Sequence, residues 1–413
     1  MKNYSIRKKD RGAICMKKIM FLGGATQQIT AIKYAKEQGY YTILCDYLVD
    51  NPGQFYADEF HCVSTTDKNA VLEVAKKTNI DGIVAYATEA AAATAAYVGN
   101  ALKLPSNSYE SVLLLSKKNL FREFLKNNGF NYPKAKSFST MAEAKDGLNG
   151  LQFPLMIKPV DSSASRGVSR IDSKEGLDYA FNNALSRSVE KLVIIEEYIE
   201  MAHECMIGGD IIVIDRNIEF LGLLNGYRDI KNNSFVPYGN SYPIFIEAEK
   251  LEIVRKELQK LMGILKIEMG VFNIEIMFDK NEKPYIIEIG PRNGGNLIAE
   301  LLEVATGVDL VGVTVEAAIN NNLDIEYTPA DVYYSTYYLH SVEKGKINNI
   351  IFDDEIKNNV IDKVIYKEYG DEIEVFDGLD KVIGIVFLKY YSLEELKYKM
   401  SNMDKYIDIQ MIS

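Results

Sequence analysis

Between residues 272 and 289 apolar and polar positions alternate with a period of two, and a short polar stretch breaks the alternation at its middle. Phe272-Asn273-Ile274-Glu275-Ile276-Met277-Phe278 and Tyr285-Ile286-Ile287-Glu288-Ile289 therefore read as two strands, with Asp279 to Pro284 as the hairpin loop between them. Folding this hairpin about its middle sets Glu275 opposite Glu288. The alternation puts Ile274, Ile276, Ile287 and Ile289 on the buried face, and Asn273, Glu275 and Glu288 on the other. Upstream the rhythm is different. Ile19 to Leu22, the Gly23-Gly24 turn, a helical stretch to Gln38 and Tyr41 to Asp46 follow as strand, turn, helix and strand, and Gly82 to Tyr86 adds a strand after a helix starting near Lys68. This βαβ order predicts an open parallel sheet. The alanine-rich stretch Glu89 to Gly99 reads as a helix lying close on that sheet, and a helix from Ser116 to Asn128 ends at Gly129. Pro154 to Pro159 is a strand carrying Lys158, and Leu192 to Ile195 is a buried strand that runs into Glu196-Glu197-Tyr198-Ile199. Strands return at Tyr333 to Tyr338, Val364 to Lys367 and Val382 to Lys389, before a helix beginning near Leu393.

Bulk composition narrows the classes. A chain of 413 residues exceeds one ordinary domain, and 47% hydrophobic with 25% charged residues is the balance of a soluble globular protein. A formal charge of −11 argues against nucleic acid as the main partner, and no apolar run approaches the roughly 20 residues that a membrane span needs. The four cysteines are scattered and the three histidines dispersed, which fits reduced thiols in a cytoplasmic protein and no zinc site. Residues 1–15 are basic and polar without the apolar core of a signal peptide, and read as a loose extension. The Gly23-Gly24 turn lacks the remaining glycines of a dinucleotide fingerprint, whose places hold Ala25 and Gln28, so a plain tight turn is the better reading.

The candidate chemistry gathers around the hairpin. Like charges directly across a sheet destabilise it, so the pairing of Glu275 with Glu288 implies a cation between them, and two carboxylates suit Mg²⁺ better than a softer metal. Gly290-Pro291-Arg292-Asn293-Gly294-Gly295-Asn296 then supplies an arginine and flexible backbone at the strand's end. Asp161-Ser162-Ser163-Ala164-Ser165-Arg166-Gly167-Val168 follows Lys158 as a loop of small hydroxyl residues whose amides suit phosphate oxygens. Arg228, in a polar segment, and Glu89, at the edge of the first sheet, are further candidates for substrate contact. His203, beside Glu204, is read equally well as packing.

Taken in order, these pieces resemble the ATP-grasp superfamily of carboxylate-amine ligases, in particular members like the large subunit of carbamoyl phosphate synthase and the amino-acid ligases. The ordered set is a lysine on a helix, a lysine on a strand, a small-residue loop, a Glu-Glu-aromatic-aliphatic hinge, then Glu on one strand and Glu-x-x-x-Arg on the next. The resemblance implies an α/β ATP-grasp fold with an N-terminal open parallel α/β domain over 16–115 and two α+β subdomains clasping ATP. These would be a lid over 116–195 and a catalytic subdomain over 196–330, with a C-terminal α+β region over 331–413 packed on the latter. It implies that Lys118, with Lys117 as the alternative, and Lys158 contact ATP phosphates, that Ser162, Ser163, Ser165 and Gly167 form the closing loop, and that Glu196 meets the adenine amino group. Glu197 and Ile199 would offer backbone atoms to the ring and Glu204 would hold the ribose. Glu275 and Glu288 would bind Mg²⁺, with Mn²⁺ as an alternative, and Arg292 would join Lys158 in steadying the acyl phosphate. Small-molecule carboxylate and amine substrates follow, and homodimers are common among such proteins. One position departs from the pattern: Gly290 stands where many members have asparagine. That departure supports a second reading, an ATP-binding regulatory protein without turnover; an NAD-dependent oxidoreductase is a third.

Overall fold

The computed structural model describes residues 16–412 apart from 163–164, 230–232, 322 and 324; the basic extension 1–15 lies outside the described residues. The first unit is a four-stranded parallel sheet in the order Glu59–Cys62, Tyr41–Asp46, Lys18–Leu22, Gly82–Val84. Its central strand is buried on both faces: Ile19 and Phe21 join one core, Met20 and Leu22 another. A parallel strand covered by helices on both sides has to read as an uninterrupted apolar run. The alanine-rich helix Glu89–Leu102 packs on this sheet through Ala91 and Val98.

The second unit is a four-stranded antiparallel sheet in the order Ala135–Phe138, Val193–Glu197, Leu155–Pro159, Ser169–Ile171. Leu155, Ile157, Val193 and Ile195 bury one face against Phe181 and Ala184 of the helix Leu177–Arg187. Alternation then sends Lys158 and Glu196 to the opposite face.

An eight-stranded sheet forms the largest layer, in the order Pro284–Gly290, Met269–Phe278, Met206–Ile214, Asn217–Asp229, Asn233–Tyr242, Tyr333–Leu339, Gly384–Tyr390, Val360–Ile365. Tyr333–Leu339 hydrogen-bonds directly to Asn233–Tyr242 and carries the sheet onward into the last part of the chain. One face of this sheet buries Ile211, Phe272, Ile274, Ile276 and Ile289 against Val254, Leu258 and Leu261 of the helix Ala248–Ile264. The other face packs Ile212, Leu224 and Val271 against the helices Ile298–Thr306 and Leu310–Ala317, and through them against the parallel sheet.

Two local details differ from the sequence reading. A bulge between Glu275 and Ile276 pairs Ile276 with Ile286, so Ile286 is buried at 4% exposure and Ile287 is only half-buried. An extra residue in one strand breaks strict alternation, which a period of two does not reveal. The helix expected from Ser116 to Asn128 spans Lys118–Asn127, and a separate helix, Tyr109–Ser116, precedes it, with Lys117 extended between them at φ −119°, ψ 112°. The amide of Lys118 donates to the carbonyl of Val160 at 3.0 Å, so a tertiary bond fixes where the second helix starts.

Candidate active site

The hairpin sets Glu275 opposite Glu288 in register. Each carboxylate has its own cation: Arg228 Nη2 lies 3.0 Å from Glu275 Oε1, and Lys118 Nζ lies 3.5 Å from Glu288 Oε1. Burial alone would push the Glu288 carboxyl up, but Lys118 and Arg292 outweigh it and hold it below its ordinary range. Burial likewise opposes the charge on Lys118, and Glu288 with Glu89 overcomes it, so the ammonium is held more firmly than usual. Lys118 also donates to the carbonyl of Ser162 at 2.8 Å, which joins the helix start to the small-residue loop. In that loop Ser165 stands at φ 57° and Gly167 at φ 76°, and Ser165 Oγ donates to the carbonyl of Phe235 at 2.8 Å. Ser163 lies outside the described residues.

Arg292 crosses from the large sheet to the parallel-sheet unit, where Nη2 meets Glu89 Oε2 at 3.0 Å. Burial raises the Glu89 carboxyl, Glu288 adds to the effect, and Arg292 opposes it. Nη1 of Arg292 donates to the carbonyl of Asn293 at 3.0 Å, while Nε is buried without a partner. The departure at Gly290 has a steric correlate: a Cβ there would come within 3.0 Å of Arg292 Cζ. Glycine makes room for the guanidinium to lie back over its own strand. Nearby, Asn273 Nδ2 donates to Asp210 Oδ1 at 2.9 Å, and Asn293 Oδ1 accepts from Thr314 Oγ1 at 2.8 Å.

The Glu196 carboxylate is held differently. Glu196 is 3% exposed; its Oε2 accepts from Arg122 Nε at 2.9 Å, and its Oε1 pairs with Lys158 Nζ. Burial works against the charge, yet Arg122 and Lys158 together bring the carboxyl down to about 2. Lys158 is lowered by burial despite the same partner. Arg122 continues to the carbonyl of Ile287 at 2.9 Å, so it ties the helix Lys118–Asn127 to the hairpin. A carboxylate has about four acceptor positions, which leaves Glu196 able to receive one more donor.

Other expected residues sit less centrally. The amide of Glu197 donates to the carbonyl of Lys134 at 2.9 Å, and its Oε1 accepts from the Gln152 amide at 3.0 Å. Ile199 is half-buried in the linker after the strand. Glu204 is exposed and paired with Lys397 of the helix Leu393–Met400 at 2.8 Å, so no bond of the described residues draws it into the cluster. His203 is bonded on both ring nitrogens, to the carbonyl of Cys205 and the amide of Phe278, and burial lowers its pKa; this is a packing role.

Two residues escaped sequence reasoning. Arg122 sits four positions after Lys118 on one helix face, and that spacing was its only signal. Asp210 is fully buried; both its oxygens accept from the Gly294 amide at 2.9 Å, and Oδ1 also accepts from Asn273. A lone charge inside the apolar strand Met206–Ile214 was the available clue. A Cβ at Gly294 would fall 2.8 Å from Asn273 Nδ2, so glycine is what lets this turn approach. Asp210 thereby fixes the backbone that carries Arg292.

The first turn offers no dinucleotide cradle. The amides of Gly23, Gly24 and Ala25 already donate to the Cys45 carbonyl, Asp46 Oδ2 and Gln28 Oε1.

Among the described residues no group of three or more His, Cys, Asp or Glu side chains is arranged to hold a metal ion. The facing pair Glu275 and Glu288 fits magnesium all the same, since that ion is commonly bound by one or two carboxylates plus water and substrate phosphates. No helix among the described residues is long and apolar enough to cross a membrane.

Residues 115–296 match the family model for the ATP-grasp domain. The carbamoyl phosphate synthase large chain of Pseudothermotoga lettingae is 25% identical over 354 residues, 81% of this chain and 30% of that protein. The chain thus spans less than a third of that relative's length. An L-amino acid ligase from Bacillus licheniformis superposes with a TM-score of 0.81 at 21% identity, covering 96% of this chain and 99% of the other. The biotin carboxylase domain dimer of Hydrogenobacter thermophilus 2-oxoglutarate carboxylase, in complex with MgADP, ADP and bicarbonate, superposes with a TM-score of 0.73 at 17% identity over 96% of this chain and 91% of the other. The architecture is the ATP-grasp fold.

Proposed function

We propose that this chain, whose residues 115–296 form an ATP-grasp domain, is an ATP-dependent ligase that joins a small carboxylate to an amine through an acyl phosphate, with release of ADP and phosphate. The observation that carries the reading is the in-register pair Glu275 and Glu288, with Lys118, Arg228 and Arg292 converging on the same face.

In this reading Glu275 and Glu288 hold magnesium, which supplies charge neutralisation at the phosphates when bound; manganese would serve in its place. Lys118 and Lys158 bind phosphate oxygens, and the loop from Ser162 to Gly167 closes over them and excludes water, which an acyl phosphate requires. Glu196 receives the adenine amino group on an acceptor position left free by its two cations. Glu197 and Ile199 border the ring through their backbone, and Glu204 reaches the ribose after leaving Lys397. Arg292, aimed by Asp210 through the Gly294 turn, steadies the substrate carboxylate and then the acyl phosphate. Attack is in line on the γ-phosphate, so the residues stabilise charge and position groups without forming a covalent bond to substrate. The amine then attacks the acyl carbon and phosphate leaves. Small-molecule substrates, and a homodimer as the assembly, complete the proposal.

Magnesium-dependent ADP release is to be measured across amino acids and small carboxylates, singly and in pairs, with Glu288→Gln as control. Release that requires a particular pair and disappears in the variant is the expected result. ATP binding without ADP release under every mixture would instead support the non-catalytic reading.

A further inference from the structure

Arg228 is bound to two acceptors that matter for the site and has a third donor to spare. Its Nη2 lies 3.0 Å from Glu275 Oε1, its Nη1 donates to the carbonyl of Phe235 at 2.5 Å, and its Nε is buried with no partner. The same Phe235 carbonyl accepts Ser165 Oγ at 2.8 Å, so Arg228 and the small-residue loop share one anchor. Glu275 is 37% exposed while Arg228 is 17% exposed, which means the carboxylate is reachable from solvent and the guanidinium is largely enclosed.

We propose that Arg228 is an internal stand-in for the metal at Glu275: it neutralises the carboxylate in the nucleotide-free protein and is displaced when a divalent cation arrives, pivoting on Phe235 to place its guanidinium on the incoming phosphates. The inference rests on the magnesium site proposed above. A cation bonded to a metal ligand competes with the metal, because both draw on the same oxygen lone pairs and the same negative charge. Once released, Nη2 and the unpartnered Nε present two donors to an acceptor, and a phosphate oxygen matches them in charge and geometry. The anchor at Phe235 keeps the guanidinium beside the loop that carries Ser165. Loading of metal and delivery of Arg228 are then one event, which prevents the site from exposing a bare carboxylate pair before ATP is present.

The proposal predicts opposite signs for two ligands, which a purely structural role for Arg228 does not. Manganese binding to the nucleotide-free chain is to be measured by electron paramagnetic resonance titration, and binding of magnesium with the non-hydrolysable analogue AMPPNP by calorimetry. Arg228→Gln should bind Mn²⁺ about three- to tenfold tighter than the wild type, as expected when a partly exposed ion pair no longer competes. The same variant should bind the magnesium–AMPPNP complex more weakly. Weaker or unchanged Mn²⁺ binding, or unchanged affinity for the analogue complex, overturns the proposal. Arg228→Lys, which keeps the charge and loses the forked geometry, should fall between the two proteins in both titrations and serves if Arg228→Gln does not fold. Glu288→Gln separates the layers: if Mn²⁺ binding by the wild type is insensitive to it, the metal site itself is wrong and the proposal falls with it.

Discussion

Glu196 and the Glu275–Glu288 pair are both clusters of acid and base at the heart of the molecule, yet they are held in opposite ways. Glu196 and Arg122 are 3% and 4% exposed, and each oxygen of the carboxylate has its own cation. Glu288 and Glu275 are 27% and 37% exposed, and each has one cation at 3.5 and 3.0 Å. A buried carboxylate with a cation on each oxygen is fixed, since removing it strands both cations in a medium that solvates them poorly. A partly open carboxylate with a single cation is exchangeable. The difference separates a tightly held knot, in which Arg122 ties Glu196 to the hairpin, from a more open pair whose cations can exchange.

The comparison breaks first at the knot. Glu196→Leu leaves Arg122 and Lys158 buried without their counter-charge, and should cost about 3–5 kcal/mol of stability, read as a lowered denaturation midpoint. Glu288→Gln should leave that midpoint nearly unchanged and reduce magnesium-dependent ADP formation by about 10²-fold or more in a steady-state assay, on the scale of losing a preorganised electrostatic contact. Asp210→Asn lies between them: an amide in place of the carboxylate cannot accept from both Gly294 and Asn273 with the same strength, so a loss of about 1–2 kcal/mol with a slower turnover is expected. The smallest stability effect belongs to Glu204→Gln, which removes an exposed pair with Lys397 worth under about 1 kcal/mol. If Glu204 reaches the ribose, KM for ATP rises in that variant while the melting temperature stays put.

Acid sharpens the same contrast. The Glu196 carboxyl falls from an ordinary 4.5 to about 2 in the folded chain, because Arg122 and Lys158 outweigh its burial. A depressed carboxyl contributes stability that is fully present above 4.5 and lost as pH falls through about 2. Denaturant titrations across that window should show a decline in the wild type that is shallower in Glu196→Gln.

The sequence made the hairpin readable because a period of two, a polar loop and a matched pair of glutamates all point to one register. The parallel sheet was readable because buried strands have to be apolar throughout. What escaped notice shares a cause: each feature depends on a partner far along the chain. Arg122 finds Glu196 and Ile287, and Asp210 finds Gly294; the local signals, a four-residue spacing from Lys118 and a lone charge in an apolar strand, do not name those partners. The bulge at Ile287 and the break at Lys117 are likewise set by tertiary pairing. Glu204 shows the converse, since a position fixed by motif order points away, toward Lys397.

One paired measurement tests the distinction most directly: calorimetric binding of AMPPNP with and without magnesium, alongside thermal melting, for wild type, Glu288→Gln and Glu196→Gln. The account predicts that Glu288→Gln keeps its melting temperature and loses the magnesium dependence of binding, whereas Glu196→Gln melts earlier and keeps that dependence in the fraction that remains folded. Equal melting losses in both variants, or magnesium dependence that survives Glu288→Gln, would contradict it.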